Sequence, residues 1–442
     1  MLHTPITRRS LLGLGGAAAA SLMFAGCTSE RSDGKVEVEI VSYKQEAVSI
    51  FEQIMKDFNA SHDDIYLNIQ SPADAVTIMK TRFVRENYPD VIGIGGDADY
   101  ASFVDSQILA DVSGFEGMDE VQDAYKDILK SVTYVPMDGI YGVPYVANAA
   151  GMLYNVDMFE QKGWSIPETW DELIELCETI KNEGEVAPFY LGYADTWTIL
   201  SPWNSITANM VPSDLARQVN AGKAKFADYY GEPARRMRQL LNYCQTSVDT
   251  GQKVPGPFSM SYNDACTAFG NGNCAMYPCG SFAVPQIMSS STGNINIGMF
   301  PMPSAENPAD RMVVSGVDLQ WCVAESCPHK DAVYEVLSYL AEPENLQTYI
   351  SDQRAIPCID GDFELDSLYD GIAEWLDEGK VLDYLDHSYP SAMAVDAQLQ
   401  TMLQNSADDD TAIQQFLEKF DTDWQRYNRD VIRKVTEYES QQ

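Results

Sequence analysis

Positive charge is scarce in this chain: 29 lysines and arginines stand against 66 acids, and only four histidines are present. A net charge of −37 keeps a protein soluble and repels nucleic acid and anionic lipid, so no nucleic-acid partner is expected. After His3, the histidines at 62, 329 and 387 are too dispersed for a histidine metal centre. Cys327-Pro328-His329 lacks companions at metal-ligand spacing, so neither a metal nor a cofactor is expected. Catalytic signatures are also missing: there is no G-x-S-x-G, Walker lysine motif, H-E-x-x-H or G-x-G-x-x-G, and Gly93-Ile94-Gly95-Gly96 lacks the last spacing. An enzyme is therefore not expected. A secreted glycosidase stays as an alternative, because its two carboxylates are recognisable only by geometry. No repeat of 20 to 50 residues is visible, which excludes solenoids and propellers. No Gly/Ser-rich linker marks a domain boundary, and no run after residue 26 is apolar enough to cross a membrane.

What is present begins with an address. Thr7-Arg8-Arg9-Ser10-Leu11-Leu12 is a twin-arginine motif, and the apolar run after it ends in Phe24-Ala25-Gly26-Cys27. That ending resembles a bacterial lipoprotein cleavage site, so 1–26 is expected to be removed and Cys27 to carry lipid. Residues 27–35 would then be a polar tether, leaving the body anchored at the membrane on its extracytoplasmic side. Eight cysteines follow, an even number that permits up to four disulfides; Cys177 and Cys244 fall on apolar helix faces and read as buried thiols.

The body is 45% hydrophobic, enough for two or three cores. Val36, Val38 and Ile40 alternate with acids as a strand, 65–69 and 89–94 read as further strands, and helices are expected between them. Such alternation indicates a largely parallel α/β sheet covered on both faces. Ligands of such sheets sit beyond the carboxyl ends of the strands, which points to the loops 42–46 and 95–99. Tyr43 and Glu46 are candidates on this ground.

The stretch 139–184 is the most informative. Tyr141-Gly142-Val143-Pro144 reads as a strand halted by a Gly and a Pro. An uncharged run to Tyr154 follows, with Ala147, Ala149, Ala150 and Gly151 small enough for close backbone approach. Tyr154-Asn155 reads as turn chemistry. Thr169 and Glu172 form a capping-box pattern, Leu173, Leu176, Cys177 and Ile180 share one helix face, and Gly184 ends the helix. These residues resemble the "YGVP…YN…F…G…P.TWDEL…K..G" segment of the carbohydrate-binding members of the bacterial extracellular solute-binding proteins, relatives of maltose-binding protein. Weaker landmarks extend the likeness from residue 36 to about 424. They include Ala275-Met276 with Gly280-Ser281-Phe282, where Phe stands for a common Trp, and Arg354-Ala355-Ile356-Pro357.

The resemblance implies a two-lobe periplasmic-binding-protein-like α/β fold of type II, with a hinge and an interlobe cleft. Residues 36–146 and 300–355 would form one lobe, and 148–297 and 358–442 the other. It further implies a monomeric, lipid-anchored receptor that hands a mono- or oligosaccharide to an ABC permease. The alternative within the fold is a non-sugar solute: a polyamine, a phosphodiester or a metal chelate. Mapped residue by residue, the resemblance makes Asp97 a hydroxyl-bonding acid, where its own position also reads as a helix cap. Asn148 is either a ligand group or a strand-end turn residue. Asp195 and Trp197, near Tyr193 and Trp203, supply an acid and a stacking aromatic, with core packing as the other reading for each ring. Ser281 lies on the loop that approaches ligand, and Asp318 and Trp321 at a strand start are either site or packing residues. Arg354 bonds either a ligand or an acid of the other lobe.

Overall fold

The computed structural model describes residues 33–248, 253–293, 295–406 and 409–442. The expected leader, Cys27 and most of the tether lie outside them.

Two sheets organise the described chain. The larger has seven strands: β1 (Val36–Ser42), β2 (Ile65–Gln70), β3 (Val91–Ile94), β4 (Val143–Ala150), β9 (Val313–Val323), β10 (Ile356–Pro357) and β11 (Val381–Leu382). Its order is β10-β4-β9-β3-β1-β2, with β11 on β9. The smaller sheet orders β6 (Ala187–Phe189), β7 (Cys274–Tyr277), β5 (Met152–Asn155) and β8 (Ile297–Phe300) as β6-β7-β5-β8. β1 runs parallel to β2 and β3, while β9 and β4 pair antiparallel. Helices pack on both faces of β1–β3; β3 is buried throughout, while β1 and β2 alternate over much of their length.

Local chemistry accounts for the elements that frame the site. Thr169 and Glu172 form the reciprocal capping box, the helix Trp170–Glu183 buries Leu173, Leu176, Cys177 and Ile180, and Gly184 ends it in the left-handed region at φ 74°. The long β4–β9 ladder carries the chain into β5, an inner strand of the smaller sheet. Gly151 alone separates β4 from β5, and a Cβ there would lie 2.6 Å from the Phe300 carbonyl oxygen. Two crossing segments therefore touch where only glycine fits.

Three expectations need correction. Pro144 does not halt a strand: β4 begins at Val143 and runs through Pro144, with a register shift between Pro144 and Val146 that absorbs the missing N–H. The first crossing falls at Gly151 rather than near 147, because Ala147–Ala150 stay hydrogen-bonded to β9. Residues 358–442 do not belong wholly to the second lobe, since β11 pairs with β9 of the larger sheet before the helices Val395–Asn405 and Thr411–Tyr427 join the smaller one's core. All eight described cysteines are buried unpaired thiols, so none of the disulfides that the compartment permits is formed among them.

Candidate functional site

A cavity of about 310 Å³ lies between the sheets, beyond the carboxyl ends of β1 and β3. It opens into a second space of about 350 Å³ that shares Asp97, Leu200, Asp386 and His387. Larger hollows exist, of about 480 Å³ beside Asp127 and Arg217, about 450 Å³ beside Gln398 and Lys419, and about 640 Å³ beside Asp123 and Asp360. None of the three sets an exposed aromatic ring opposite polar groups.

The larger sheet supplies a polar floor. Lys44 Nζ lies 2.5 Å from Asp318 Oδ2, and the Tyr43 hydroxyl donates to the Asp318 carbonyl. Asn148 Nδ2 donates to Asp318 Oδ1 at 3.0 Å and Asn148 Oδ1 accepts from the Tyr384 hydroxyl at 2.9 Å. Burial pulls the Lys44 ammonium down, but Asp318, Tyr349 and Glu46 together more than offset this and hold it above its ordinary value. Burial, reinforced by Asp318, raises the Tyr43 phenol, which therefore remains a donor. Asp97 lines the cavity and is also a helix cap. Its Oδ1 caps the helix Ala98–Asp105, accepting from Asp99 N at 2.9 Å and Tyr100 N at 3.3 Å.

The smaller lobe supplies an aromatic wall. Trp197 is 44% exposed and Phe282 39%, with ring centroids 6.2 Å apart, and Tyr262 backs Trp197 at 4.8 Å. Asp195 does not line the cavity; its Oδ2 accepts from Tyr262 N at 2.7 Å and so positions the ring behind Trp197. Ser281 is buried and accepts from Ala149 N at 3.2 Å, tying the loop before Phe282 to β4. Tyr193 and Trp203 are core residues.

Three other candidates stand apart from the cavity. Trp321 is 1% exposed and packs against Phe51 and Tyr145, because three residues along a strand from Asp318 it faces the opposite side of the sheet. Glu46 points to solvent, paired with Lys44 at 3.1 Å. Arg354 pairs with Asp366 rather than an occupant of the cavity.

The segment 383–387 was missed. Here His387 Nδ1 meets Asp383 Oδ1 at 2.8 Å, and Asn204 Nδ2 donates to Asp386 Oδ1 at 2.7 Å. Burial lowers the affinity of His387 for a proton, but Asp383, Asp386 and Asp97 together outweigh it and raise its pKa to about 10. It is an imidazolium at neutral pH, with Nε2 left as a charged donor. Burial raises the Asp97 and Asp386 carboxyls, opposed by the nearby imidazolium. Gly316 admits this segment: a Cβ there would lie 2.7 Å from Tyr384 and 2.8 Å from Asp383 and His387. The available sequence signal was a scarce histidine set among acids and aromatics in Asp383-Tyr384-Leu385-Asp386-His387.

One grouping of possible metal donors was not visible in the sequence. Donor atoms of Asp90, Cys327 and His329 lie within 4.8 Å of one another, and spacing could not reveal it because Asp90 and Cys327 are 237 residues apart.

Two α/β lobes joined by repeated crossings set polar groups of one opposite exposed rings of the other. The chain belongs to the family described as bacterial extracellular solute-binding protein, whose profile matches residues 42–347. A multiple sugar-binding protein of Streptococcus mutans is 28% identical over 77% of this chain and 79% of its own length. Among solved structures, the apo form of RafE from Streptococcus pneumoniae aligns with a TM-score of 0.74 at 23% identity, covering 87% of this chain and 96% of that one. RafE in complex with raffinose aligns at 0.69 and 24% identity, covering 88% and 98%. The fold is the two-lobe α/β binding-protein fold of type II. Among the described residues no helix is long and apolar enough to cross a membrane.

Proposed function

We propose that the protein is the binding component of an ABC importer and takes a mono- or oligosaccharide in its interlobe cavity. The observation that carries this reading is the exposure of Trp197 and Phe282 opposite the Asn148–Asp318 network. A sugar ring has an apolar C–H face to cover aromatic rings, and hydroxyls to bond paired polar groups. A ligand that displaces one of the floor's existing bonds without replacing it loses about 1–3 kcal/mol, which makes such a floor selective. The sugar-named relative and the raffinose complex of RafE support the same class.

The working cycle is a hinge equilibrium. Ligand touches both lobes only when they close, so binding shifts the population toward closure, and the joined rims are read by the permease. Lipid on Cys27, after twin-arginine export, would keep a monomeric receptor at the membrane face. The solute leaves unchanged: Asp318 is held by Lys44, Asp383 by His387 and Asp386 by Asn204, so three of the four carboxylates already have a partner and Asp97 is a helix cap. Three carboxylates line the cavity, Asp97, Asp318 and Asp386, and Asp383 stands behind His387. These four against the two cations Lys44 and His387 favour, as a second reading, a cationic solute such as a polyamine.

Calorimetric titration of the purified protein with an oligosaccharide panel and with spermidine, joined to small-angle scattering, tests both. Binding of one sugar with compaction is expected. Silence across the sugars together with tight binding of spermidine would replace the first reading by the second.

A further inference from the structure

Away from the cleft, at the opposite end of β3, three different donors converge. Asp90 precedes β3, and Cys327 and His329 follow β9. Cys327 Sγ lies 3.4 Å from Asp90 Oδ1, and His329 Nε2 lies 3.2 Å from the same oxygen. Donors bonded at about 2.0–2.3 Å around one tetrahedral ion sit about 3.3 Å apart for an N–O edge and about 3.5 Å for an S–O edge. The observed separations match both edges. His329 Nε2 is shut off from water; it lies at ion-pair distance from Asp90 Oδ1 but makes no aligned hydrogen bond among the described residues. A buried ring nitrogen without a well-aligned partner costs free energy that a ligand bond would recover.

We propose that Asp90, Cys327 and His329 bind a single Zn²⁺ ion, with a fourth position open to solvent. Thiolate, imidazole and carboxylate are the zinc set, whereas calcium and magnesium prefer oxygen alone. The two negative ligands balance the ion's charge, and Lys330, the adjoining cation, is already paired with Glu325 at 3.0 Å. His329 is 26% exposed, which provides a way in. The frame is held without the ion: Asp90 Oδ2 accepts from Glu39 N at 2.9 Å, its carbonyl accepts from Ala324 N at 2.9 Å, and Cys327 N donates to Ala324 O at 3.0 Å. The ion would pin the start of β3 to the turn that leads into the helix Lys330–Ala341, far from any solute.

The test uses the full chain, purified without a metal-affinity tag and stripped with EDTA, then titrated with Co²⁺ as a spectroscopic stand-in. One equivalent should give a thiolate-to-cobalt charge-transfer band and tetrahedral d–d bands, both erased by Zn²⁺. Cys327→Ser should remove the charge-transfer band. His329→Gln and Asp90→Asn should each weaken Co²⁺ binding by at least about tenfold, the loss that outer-sphere changes alone reach. Thermal melts of each variant verify folding, and any one folded variant suffices. No saturable binding, an octahedral spectrum, or a charge-transfer band that persists in Cys327→Ser would overturn the assignment.

Discussion

The two sides of the cleft are built on opposite plans. On the larger lobe, Tyr43, Lys44, Asn148 and Asp318 are bonded to one another and need no ligand to satisfy them. On the smaller lobe, Trp197 and Phe282 leave much of their surface open to water. The floor is preorganised for direction and the wall is unsatisfied until something covers it. Affinity should therefore reside chiefly in the wall, and stability in the floor.

Substitutions can break this contrast, and the largest effect is expected in the floor. Asp318→Ala leaves Lys44 as a largely buried charge without its carboxylate, which should cost about 3–5 kcal/mol in urea unfolding. Trp197→Ala should leave that unfolding curve within about 0.5 kcal/mol of the parent, since the ring is exposed. Its cost should appear in calorimetric titration with the bound sugar, about 2 kcal/mol or roughly thirtyfold in Kd. If instead Trp197→Ala unfolds the protein and Asp318→Ala spares it, the assignment of roles is reversed. Gly316→Ala forces a methyl into Tyr384 and His387, and overpacking of this kind should remove about 1–3 kcal/mol of stability and weaken solute binding with it.

A pH dependence sharpens the comparison further. His387 has a folded pKa of about 10 against 6.5 for the free side chain, so it binds its proton more tightly when folded. Its contribution is fully present below pH 6.5 and is lost as pH rises through about 10. Melts from pH 6 to 10.5 should fall more steeply for the parent than for His387→Gln, and equal slopes would refute this. Smallest of all, Glu46→Gln breaks only a solvent-facing pair and should change stability by less than about 0.5 kcal/mol.

The parts of this design that rest on neighbours in sequence were legible before any coordinates. The capping box at Thr169 and Glu172, the buried face of its helix, and the strand-end loops bearing Tyr43 and Asp97 all follow from periodicity and terminal chemistry. Trp321 was readable too, had strand alternation been applied: an odd offset from Asp318 sends it to the other face. The segment 383–387 was not. Nothing local announces it, because its place depends on β11 joining β9 and on the lack of a side chain at Gly316, some seventy residues earlier. Asp90 with Cys327 and His329 fails for the same reason, being assembled by the β3–β9 pairing alone.

The eight unbridged thiols have a practical consequence. Seven of them are at most 1% exposed, while Cys327 is 8% exposed. A maleimide reagent added to the metal-free native protein should thus react in two phases. The fast phase would report fluctuations around one turn, and the slow one the rate at which the whole molecule opens. Without any engineered probe, the chain carries its own clock for how long it stays folded.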